Sequence, residues 1–441
     1  MLVIPPELVE LIVGFISSRS TLRACALVGP DFLYPCQQRL FTEVVLAPPK
    51  RRGTRPTKAT PAQRFLDALN SSPHLASFVR SLIIECEDSI EEQPWLYNDT
   101  ALQHILPRLD RLAKISVNGK VKPGDEAAPT KANLSWSSLS LTLRSALTSV
   151  MRSGSVIDLE LGGFSRIPVS SVIHSCSQLK KLSLLPLYLV DEGDGGEQDS
   201  DAAPSPPELL DVEDITIKQS SVALRRTTDW LLRPNYGPDI RQVQRLHFTV
   251  MNTEDHSYIA QIVEASAPSL KELELSPGTD IAFVRHLLRS SSPVGPRTSP
   301  ITLSNLNHLR SLKINTEIKM YKLNNNRYSD PLPWIVSLLS TIPHDNEFAT
   351  LEICLGLHVN KQILESISWI KLVNAVTSEE RFPRFERLVL TLSRLATKEK
   401  VEVDSQEQKE QQVLQPWVKE VLEGNSQLGF LRKKGLLTLQ L

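Results

Sequence analysis

The side chains that most often perform catalysis are spread along this chain and do not fall at catalytic spacings. There is no G-x-S-x-G turn for a nucleophilic serine, no H-E-x-x-H pair for zinc, no C-x-x-C pair and no G-x-x-x-x-G-K-[ST] phosphate loop. The densest glycine cluster, residues 193–196, is surrounded by acids that would repel a phosphate. The nine histidines are dispersed, with none paired at metal-ligand spacing. We therefore expect no catalytic residue, no metal ion and no cofactor, and an enzyme without a recognisable motif is the alternative.

Composition and charge narrow the class of partner. The 441-residue chain carries a net charge of −1, which attracts neither nucleic acid nor an anionic membrane, and no apolar run approaches the length of a membrane span. Pro5, Pro6 and Glu7 break the basic and apolar pattern of a secretion signal. The five cysteines are scattered and odd in number, which favours reduced thiols. The sequence therefore predicts a cytoplasmic or nuclear location, or both, with no nucleic-acid and no membrane partner.

The N-terminal segment predicts three short helices. Pro6 suits the first turn of a helix, where its missing amide hydrogen is not needed. Ser20 or Thr21 is expected to cap the second helix, Gly29-Pro30 to end it, and Pro35 to stand at the start of the third. The first helix carries one apolar stripe at helical spacing, which consists of Leu8, Leu11, Ile12, Phe15 and Ile16. A unit of about forty residues is small for independent stability, so these apolar faces either pack only on one another or also dock a partner.

The order of these residues adds a resemblance. Ile4-Pro5-Pro6-Glu7-Leu8-Val9 opens the segment, Leu22-x-x-Cys25-x-Leu27-Val28 follows, and Leu40-Phe41 closes it. Residues 2–46 thereby resemble the F-box, in the F-box-like variant common in fungal multigene families, where the closing pair leads into a strand. Gly29-Pro30-Asp31 replaces basic or serine positions of that family, which is a departure from its pattern.

The resemblance implies that this segment binds the Skp-type adaptor of SCF ubiquitin ligases and, through it, the cullin core. The residues that match adaptor-binding positions of the family are Pro5, Pro6, Leu8, Leu11, Ile12 and Phe15.

The rest of the chain repeats an apolar-x-x-apolar-x-apolar pattern. The copies lie at 79–84, 112–117, 156–161, 179–184, 212–217, 243–248, 270–275, 309–314, 348–353 and 385–390. A chain that is 41% apolar contains such matches by chance, so their context matters. Several copies follow a polar or proline residue, and a helical apolar pattern precedes them, as at 169–173 and 258–263. Helix, turn and strand in this order form the unit of a leucine-rich repeat.

The spacing between copies is irregular. Leu159 to Leu182 and Leu246 to Leu273 fit the usual repeat of about 20–29 residues, while most other spacings exceed it. Irregular repeats of this kind accompany the F-box-like segment in the fungal families that the chain resembles. The predicted fold class is therefore α/β, with a three-helix F-box-like unit followed by an irregular leucine-rich-repeat-like α/β solenoid. A generic α/β fold with a parallel sheet is the alternative.

The predicted organisation has three parts: docking helices at 1–46, a basic linker at 47–62 and the repeats at 63–441. Residues 191–207 are acidic and contain Gly, Ser and Pro, and residues 398–412 are charged and rich in Gln, so both are predicted to be disordered insertions. The basic run at 50–58 is interpreted as a solvated loop, with a nuclear-import signal as the alternative.

These expectations together describe a non-catalytic substrate receptor of an SCF-type ubiquitin ligase, which captures a target protein that the sequence does not identify. The alternative is a repeat scaffold whose F-box-like segment serves assembly rather than degradation. The target is expected on the concave sheet face, where charged side chains of both signs flank the central apolar residue of each copy. The predicted target-binding residues are Asp158, Glu160, Lys181, Arg245, His247, Glu272, Glu274 and Lys313.

Overall fold

The computed structural model of the chain is a mixed α/β protein in which parallel strands alternate with helices. It describes residues 5–48, 59–86, 95–119, 134–168, 172–173, 175–185, 189–190, 210–218, 221–234, 237–250, 255–277, 301–321, 327–328, 330–358, 361–393 and 416–440. The basic run at 50–58 and the predicted insertions at 191–207 and 398–412 lie outside these residues. The chain divides into a first unit, Met1–Val212 with Pro234–Pro238, and a second unit, Glu213–Arg233 with Asp239–Leu441.

The N-terminal segment folds into three helices, as predicted. They are α1 at Pro6–Gly14, α2 at Arg19–Cys25 and α3 at Pro30–Phe41. The cap of α2 differs from the prediction, because Ser18 accepts a hydrogen bond from the Thr21 amide at 3.4 Å. Ser20 and Thr21 already lie inside the helix.

The start of α3 also differs from the prediction. Pro30 stands at the beginning of this helix, with Asp31 beside it in the first turn, while Pro35 lies inside the helix and is buried. A proline in the first turn lacks only an amide hydrogen that has no partner there. Gly29-Pro30 therefore begins α3, and α2 ends earlier, at Cys25.

The first unit contains a parallel sheet and a smaller one. Its strands are β1 Glu43–Leu46, β2 Ser81–Cys86, β3 Lys114–Gly119, β4 Leu134–Ser135, β5 Asp158–Gly162, β6 Phe164–Pro168, β7 Lys181–Leu184 and β8 Leu189–Val190. Its further helices are α4 Pro61–Ser71, α5 Trp95–Asn98, α6 Leu102–Ile105 and α7 Leu141–Arg152, with 3-10 turns at Pro73–Phe78, Leu106–Arg108 and Trp136–Ser138. The order β1-β2-β3-β5-β7 is parallel throughout, and β4-β6-β8 form the small sheet.

The second unit has the same construction. Its strands are β9 Asp214–Lys218, β10 Arg245–Val250, β11 Glu272–Pro277, β12 Ser311–Tyr321, β13 Arg327–Tyr328, β14 Thr350–His358, β15 Arg387–Ser393 and β16 Leu437–Gln440. Its helices are α8 Ser221–Leu231, α9 Asp255–Ser266, α10 Leu332–Leu339, α11 Lys361–Ser366, α12 Ile370–Val376, α13 Pro416–Gly424 and α14 Ser426–Lys433, with a 3-10 turn at Ile240–Gln242. The order β9-β10-β11-β12-β14-β15-β16 is parallel, and β13 pairs antiparallel with β12.

Every copy of the repeated pattern coincides with a strand of these parallel sheets. The strand register places the central apolar residues side by side, as Leu82, Ile115, Leu159 and Leu182 in the first unit. The corresponding row of the second unit is Ile215, Leu246, Leu273, Leu312, Leu351 and Leu388. Both rows are buried and form the core of their sheets. The pattern does not predict β1, β4, β6, β8, β13 or β16.

One backbone arrangement recurs at the start of nine parallel strands, β2, β3, β5, β7, β10, β11, β12, β14 and β15. A single carbonyl of the preceding strand region accepts hydrogen bonds from two consecutive amides of the next, at distances between 2.8 and 3.1 Å. The accepting carbonyls are Thr42, Arg80, Ala113 and Ile157 in the first unit, and Glu213, Gln244, Lys271, Arg310 and Ala349 in the second. These strands therefore begin with the same backbone geometry, although the number of residues between one strand and the next varies widely.

Candidate interaction surfaces

The α1 apolar surface, defined here as Leu8, Leu11, Ile12 and Phe15, lies in solvent. Phe15 is 81% exposed and Leu11 is 57% exposed. Pro5 and Pro6, at the start of the helix, are exposed as well. All six residues that the sequence assigns to adaptor binding are therefore accessible on one short helix and its cap.

The three helices have a core of their own that does not use this surface. Val9 and Val13 of α1 are buried against Leu22 of α2 and Cys36 of α3. Ile16, which the sequence places on the same stripe as Leu8 and Phe15, instead packs against this core. The helix thus has two apolar faces, and no element of the described part of the chain covers the face with the larger side chains.

Further apolar side chains of the same segment are exposed, and their sequence pattern did not indicate that they lie on the surface. Leu27 is 87% exposed and Val28 is 73% exposed, since α2 ends before them at Cys25. Leu33 and Tyr34 of α3 are also exposed, and the ring of Tyr34 meets Phe78 edge to face at 4.9 Å. Isolated exposed apolar residues are common in proteins, whereas clusters of them are typical of interaction sites.

The polar face of the first unit's sheet carries a cluster centred on Lys114. Its Nζ lies 3.6 Å from Asp158 Oδ2 and 3.7 Å from Glu160 Oε2, so β3 is bridged to β5. Asn118 Nδ2 donates a hydrogen bond to Glu160 at 2.5 Å. Burial raises the pKa of Asp158, while Lys114 and Lys181 oppose this increase. Lys181 is exposed and forms no ion pair with any described residue.

The polar face of the second unit's sheet carries a longer network across five strands, β9, β10, β11, β12 and β14. Arg245 Nε lies 3.1 Å from Asp214 Oδ2, and His247 Nδ1 lies 2.8 Å from Glu274 Oε2. Lys313 Nζ lies between two carboxylates, 3.9 Å from Glu274 and 3.6 Å from that of Glu352 on β14. Side-chain partners of this face therefore come from neighbouring strands, as the register of the sheet requires.

The predicted target-binding residues of this face consequently fall into two groups. Arg245, His247, Glu274 and Lys313 bind neighbouring side chains of the protein itself. Glu272 is exposed, and no described residue forms an ion pair with it. The sequence predicts the same role for both glutamates of β11. In the structure, Glu274 already pairs with side chains of the protein, whereas Glu272 forms no ion pair with a described residue.

The network around Glu274 should make the stability of the protein depend on pH. The hydrogen bond from His247 lowers the pKa of Glu274; burial opposes this effect, and Asn315 and Lys313 lower the pKa further. A carboxylate with a lowered pKa in the folded state stabilises the fold above its unfolded pKa, and this contribution disappears as the pH falls through the folded pKa.

Glu274→Gln should therefore reduce the free energy of unfolding by about 1 kcal/mol at neutral pH, because the side chain is partly solvated and its hydrogen bonds are screened. The difference from the unmodified chain should shrink in acid, which urea unfolding at a series of pH values measures. Glu272→Gln is the matched control and should leave the stability unchanged. An equal effect of both substitutions would contradict the assignment of the network to Glu274.

Among the described residues, no three His, Cys, Asp or Glu side chains converge to hold a metal ion. The described cysteines are free thiols, and burial raises the pKa of Cys176 to about 12, which keeps this thiol protonated at neutral pH. Within the described part of the chain, the helices are too short or too polar to cross a membrane.

No protein-family model matches the sequence, and no curated protein matches it.

Proposed function

We propose that the chain is a non-catalytic substrate receptor of an SCF-type ubiquitin ligase. In this proposal α1, α2 and α3 form an F-box-like unit that docks a Skp-type adaptor and, through it, the cullin core. The body is an irregular leucine-rich-repeat-like solenoid that holds a target protein on its sheet face. The observation that carries the proposal is the α1 apolar surface, which is exposed although its helix belongs to a packed three-helix unit.

The energetics favour a partner on the α1 apolar surface. Removing a large aliphatic or aromatic side chain from water contributes about 1.5–3 kcal/mol when burial is complete. Burial of four such side chains on consecutive turns of one helix would therefore contribute several kcal/mol of binding free energy, if a partner surface covered them. Since the residues that resemble adaptor-binding positions are the ones left uncovered, the adaptor is the partner that the proposal assigns.

The construction of the body supports its assignment as irregular leucine-rich repeats. Each copy of the repeated pattern contributes a short parallel strand whose alternate residues are buried. The carbonyl that accepts hydrogen bonds from two consecutive amides recurs between these strands, although the strands are unequally spaced along the sequence. The polar faces carry acids and bases in alternation, as in Arg245, Glu274 and Lys313. A nucleic-acid surface would need one dominant positive sign, so the proposal assigns a protein target.

Affinity purification tests the proposal as a whole. The intact chain should co-purify a Skp-type adaptor and a cullin, and a chain that lacks residues 1–46 should retain its target while losing both ligase subunits. Target protein should also accumulate when the proteasome is inhibited. A target that binds but does not accumulate would support the alternative, a scaffold whose F-box-like unit serves assembly. Recovery of adaptor by the shortened chain would overturn the docking assignment.

A further inference from the structure

The first polar residues of the second unit's strands form one row across the sheet. Parallel register places them side by side in the order Asp214, Arg245, Glu272, Ser311, Thr350 and Arg387, from β9 to β15. We call this set the first row. Because neighbouring strands lie about 4.8 Å apart, a ligand that crosses the strands would meet these side chains in turn.

Two charged members of the first row have no partner within the described part of the chain. Glu272 and Arg387 are both exposed, and neither forms an ion pair there. Arg245, which stands next to Glu272, is held by Asp214 at 3.1 Å. The two positions between the free charges are Ser311 and Thr350, which both have short side chains.

The next row of side chains has little capacity to bind a ligand through charge. His247, Glu274, Lys313 and Glu352 satisfy one another across β10, β11, β12 and β14. Such a network costs energy to disrupt, since a ligand would have to replace interactions that already exist. Lys218 is exposed at the far end of β9, two residues beyond Thr216, which is the β9 position of this next row. The free charges of the first row are therefore the groups that discriminate between ligands.

The spacing of these two charges selects a backbone conformation. Three strand steps separate Glu272 from Arg387, which corresponds to roughly 14 Å. In an extended polypeptide, residues that are four apart point to the same side and lie about 13–14 Å apart. In an α-helix the same distance needs about nine residues, and a rotation of about 100° per residue places the ninth on the opposite side. An extended segment thus presents two charges on one side at this distance, whereas the nearest same-side positions of a helix, seven and eleven residues apart, lie about 10.5 and 16.5 Å apart.

We propose that this face binds an extended segment of the target protein that crosses the strands. A cationic side chain of the segment pairs with Glu272, and an acidic side chain four residues away pairs with Arg387. The inference rests on the proposed function, because it specifies the target of the same sheet face. For a segment that keeps its direction across the strands, exchanging its two charges would place like charges together at both positions.

Selection from a phage-displayed library of short random peptides on the immobilised full chain tests this inference. The enriched peptides should carry Lys or Arg four residues from Asp or Glu. Glu272→Lys and Arg387→Glu should each weaken binding of an enriched peptide roughly five- to tenfold, because an attraction becomes a repulsion. The double variant with both substitutions should prefer the peptide in which the two charges are exchanged.

A matched control separates this effect from net charge. Glu264→Lys on α9 with Arg225→Glu on α8 makes the same changes at exposed helix positions of the same unit. Peptide binding by this control should stay within about twofold of the unmodified chain, and thermal unfolding should confirm that all variants are folded.

Three outcomes would overturn the inference: no enriched peptide with paired charges, enrichment at helical spacing, or a double variant that keeps the original preference. Adaptor binding is measured on the same proteins. If the unmodified chain did not bind the adaptor, this would count against the proposed function alone, because adaptor binding depends on α1 and not on the first row.

Discussion

Replacing Leu8 and Leu11 together with aspartate should abolish adaptor binding while the protein stays folded. Both side chains are about half exposed, so their removal takes no packing from the core of the three helices. Leu8 lies in the first turn of α1, where an acid interacts favourably with the helix dipole. The helix itself should therefore tolerate the change.

The effect on binding should be large because both substitutions put a charge where the adaptor would cover an apolar side chain. Central interface residues each contribute about 2 kcal/mol or more when truncated, so two of them should weaken binding on the order of a thousandfold. Binding of purified Skp-type adaptor to the full chain, measured by calorimetry, gives the dissociation constants directly.

Two control variants make this result specific. Leu141→Asp changes a leucine that is 76% exposed at the start of α7, and it should leave adaptor binding unchanged. Val9→Asp places a charge in the buried core of the three helices and should unfold them, with loss of helical signal and of binding together. Unchanged binding by the Leu8 and Leu11 double variant would show that the α1 apolar surface is not the docking site.

Gly163→Ala should destabilise the first unit more than any other glycine substitution among the described residues. Gly163 lies between β5 and β6 with φ +73°, and its peptide oxygen accepts a hydrogen bond from the Leu134 amide at 3.1 Å. A Cβ added there would overlap the Cα of Gly119 at the end of β3. An alanine at this position would therefore have an unfavourable left-handed backbone. Its Cβ would also clash with Gly119, so one of the two chain segments would have to move.

Gly154→Ala is the matched control, because Gly154 has the same φ of +73° and nothing within 4 Å of an added Cβ. The left-handed conformation alone should cost about 1–2 kcal/mol there. The clash at Gly163 should raise the loss in free energy of unfolding above about 4 kcal/mol, which denaturant titration measures. Equal losses at both positions would show that the close approach of Gly163 to Gly119 does not constrain the fold.

The strands were predictable because their pattern has a period of two and their buried residues are large. Every copy of the pattern formed a strand, and the observed register places the central apolar residues side by side. The last strand, β16, escaped prediction because Lys434 stands where the first apolar residue of the pattern belongs, while Leu437 and Leu439 occupy the other two positions. Strand pairing with β15 supplies what the local pattern lacks.

The orientation of α1 was not predictable from spacing. Val9 and Val13 are four residues apart, and so are Leu8 and Ile12 and also Leu11 and Phe15, so each pair fits a buried stripe equally well. The packing of α2 and α3 decides which stripe is buried. The start of α3 was ambiguous for a similar reason, since Pro30 and Pro35 both suit a first helical turn and the tertiary structure selects Pro30.

The polar faces show the same limit. Alternation along each strand predicted that Glu272 and Glu274 point away from the core, and both lie on the polar face. Which of the two is free depends on side chains that the register brings from other strands, such as His247 and Asn315. Those contacts span gaps of 27 and 41 residues along the chain, so no local pattern indicates them.

Hydrogen–deuterium exchange of the full chain, with and without a purified Skp-type adaptor, tests the docking assignment most directly. Addition of the adaptor should slow amide exchange within residues 5–41 and leave the sheets of both units unchanged, because α1, α2 and α3 provide the proposed docking site. Absence of any slowing in that segment, or slowing confined to the strands, would contradict the assignment of the N-terminal helices as the adaptor-binding unit.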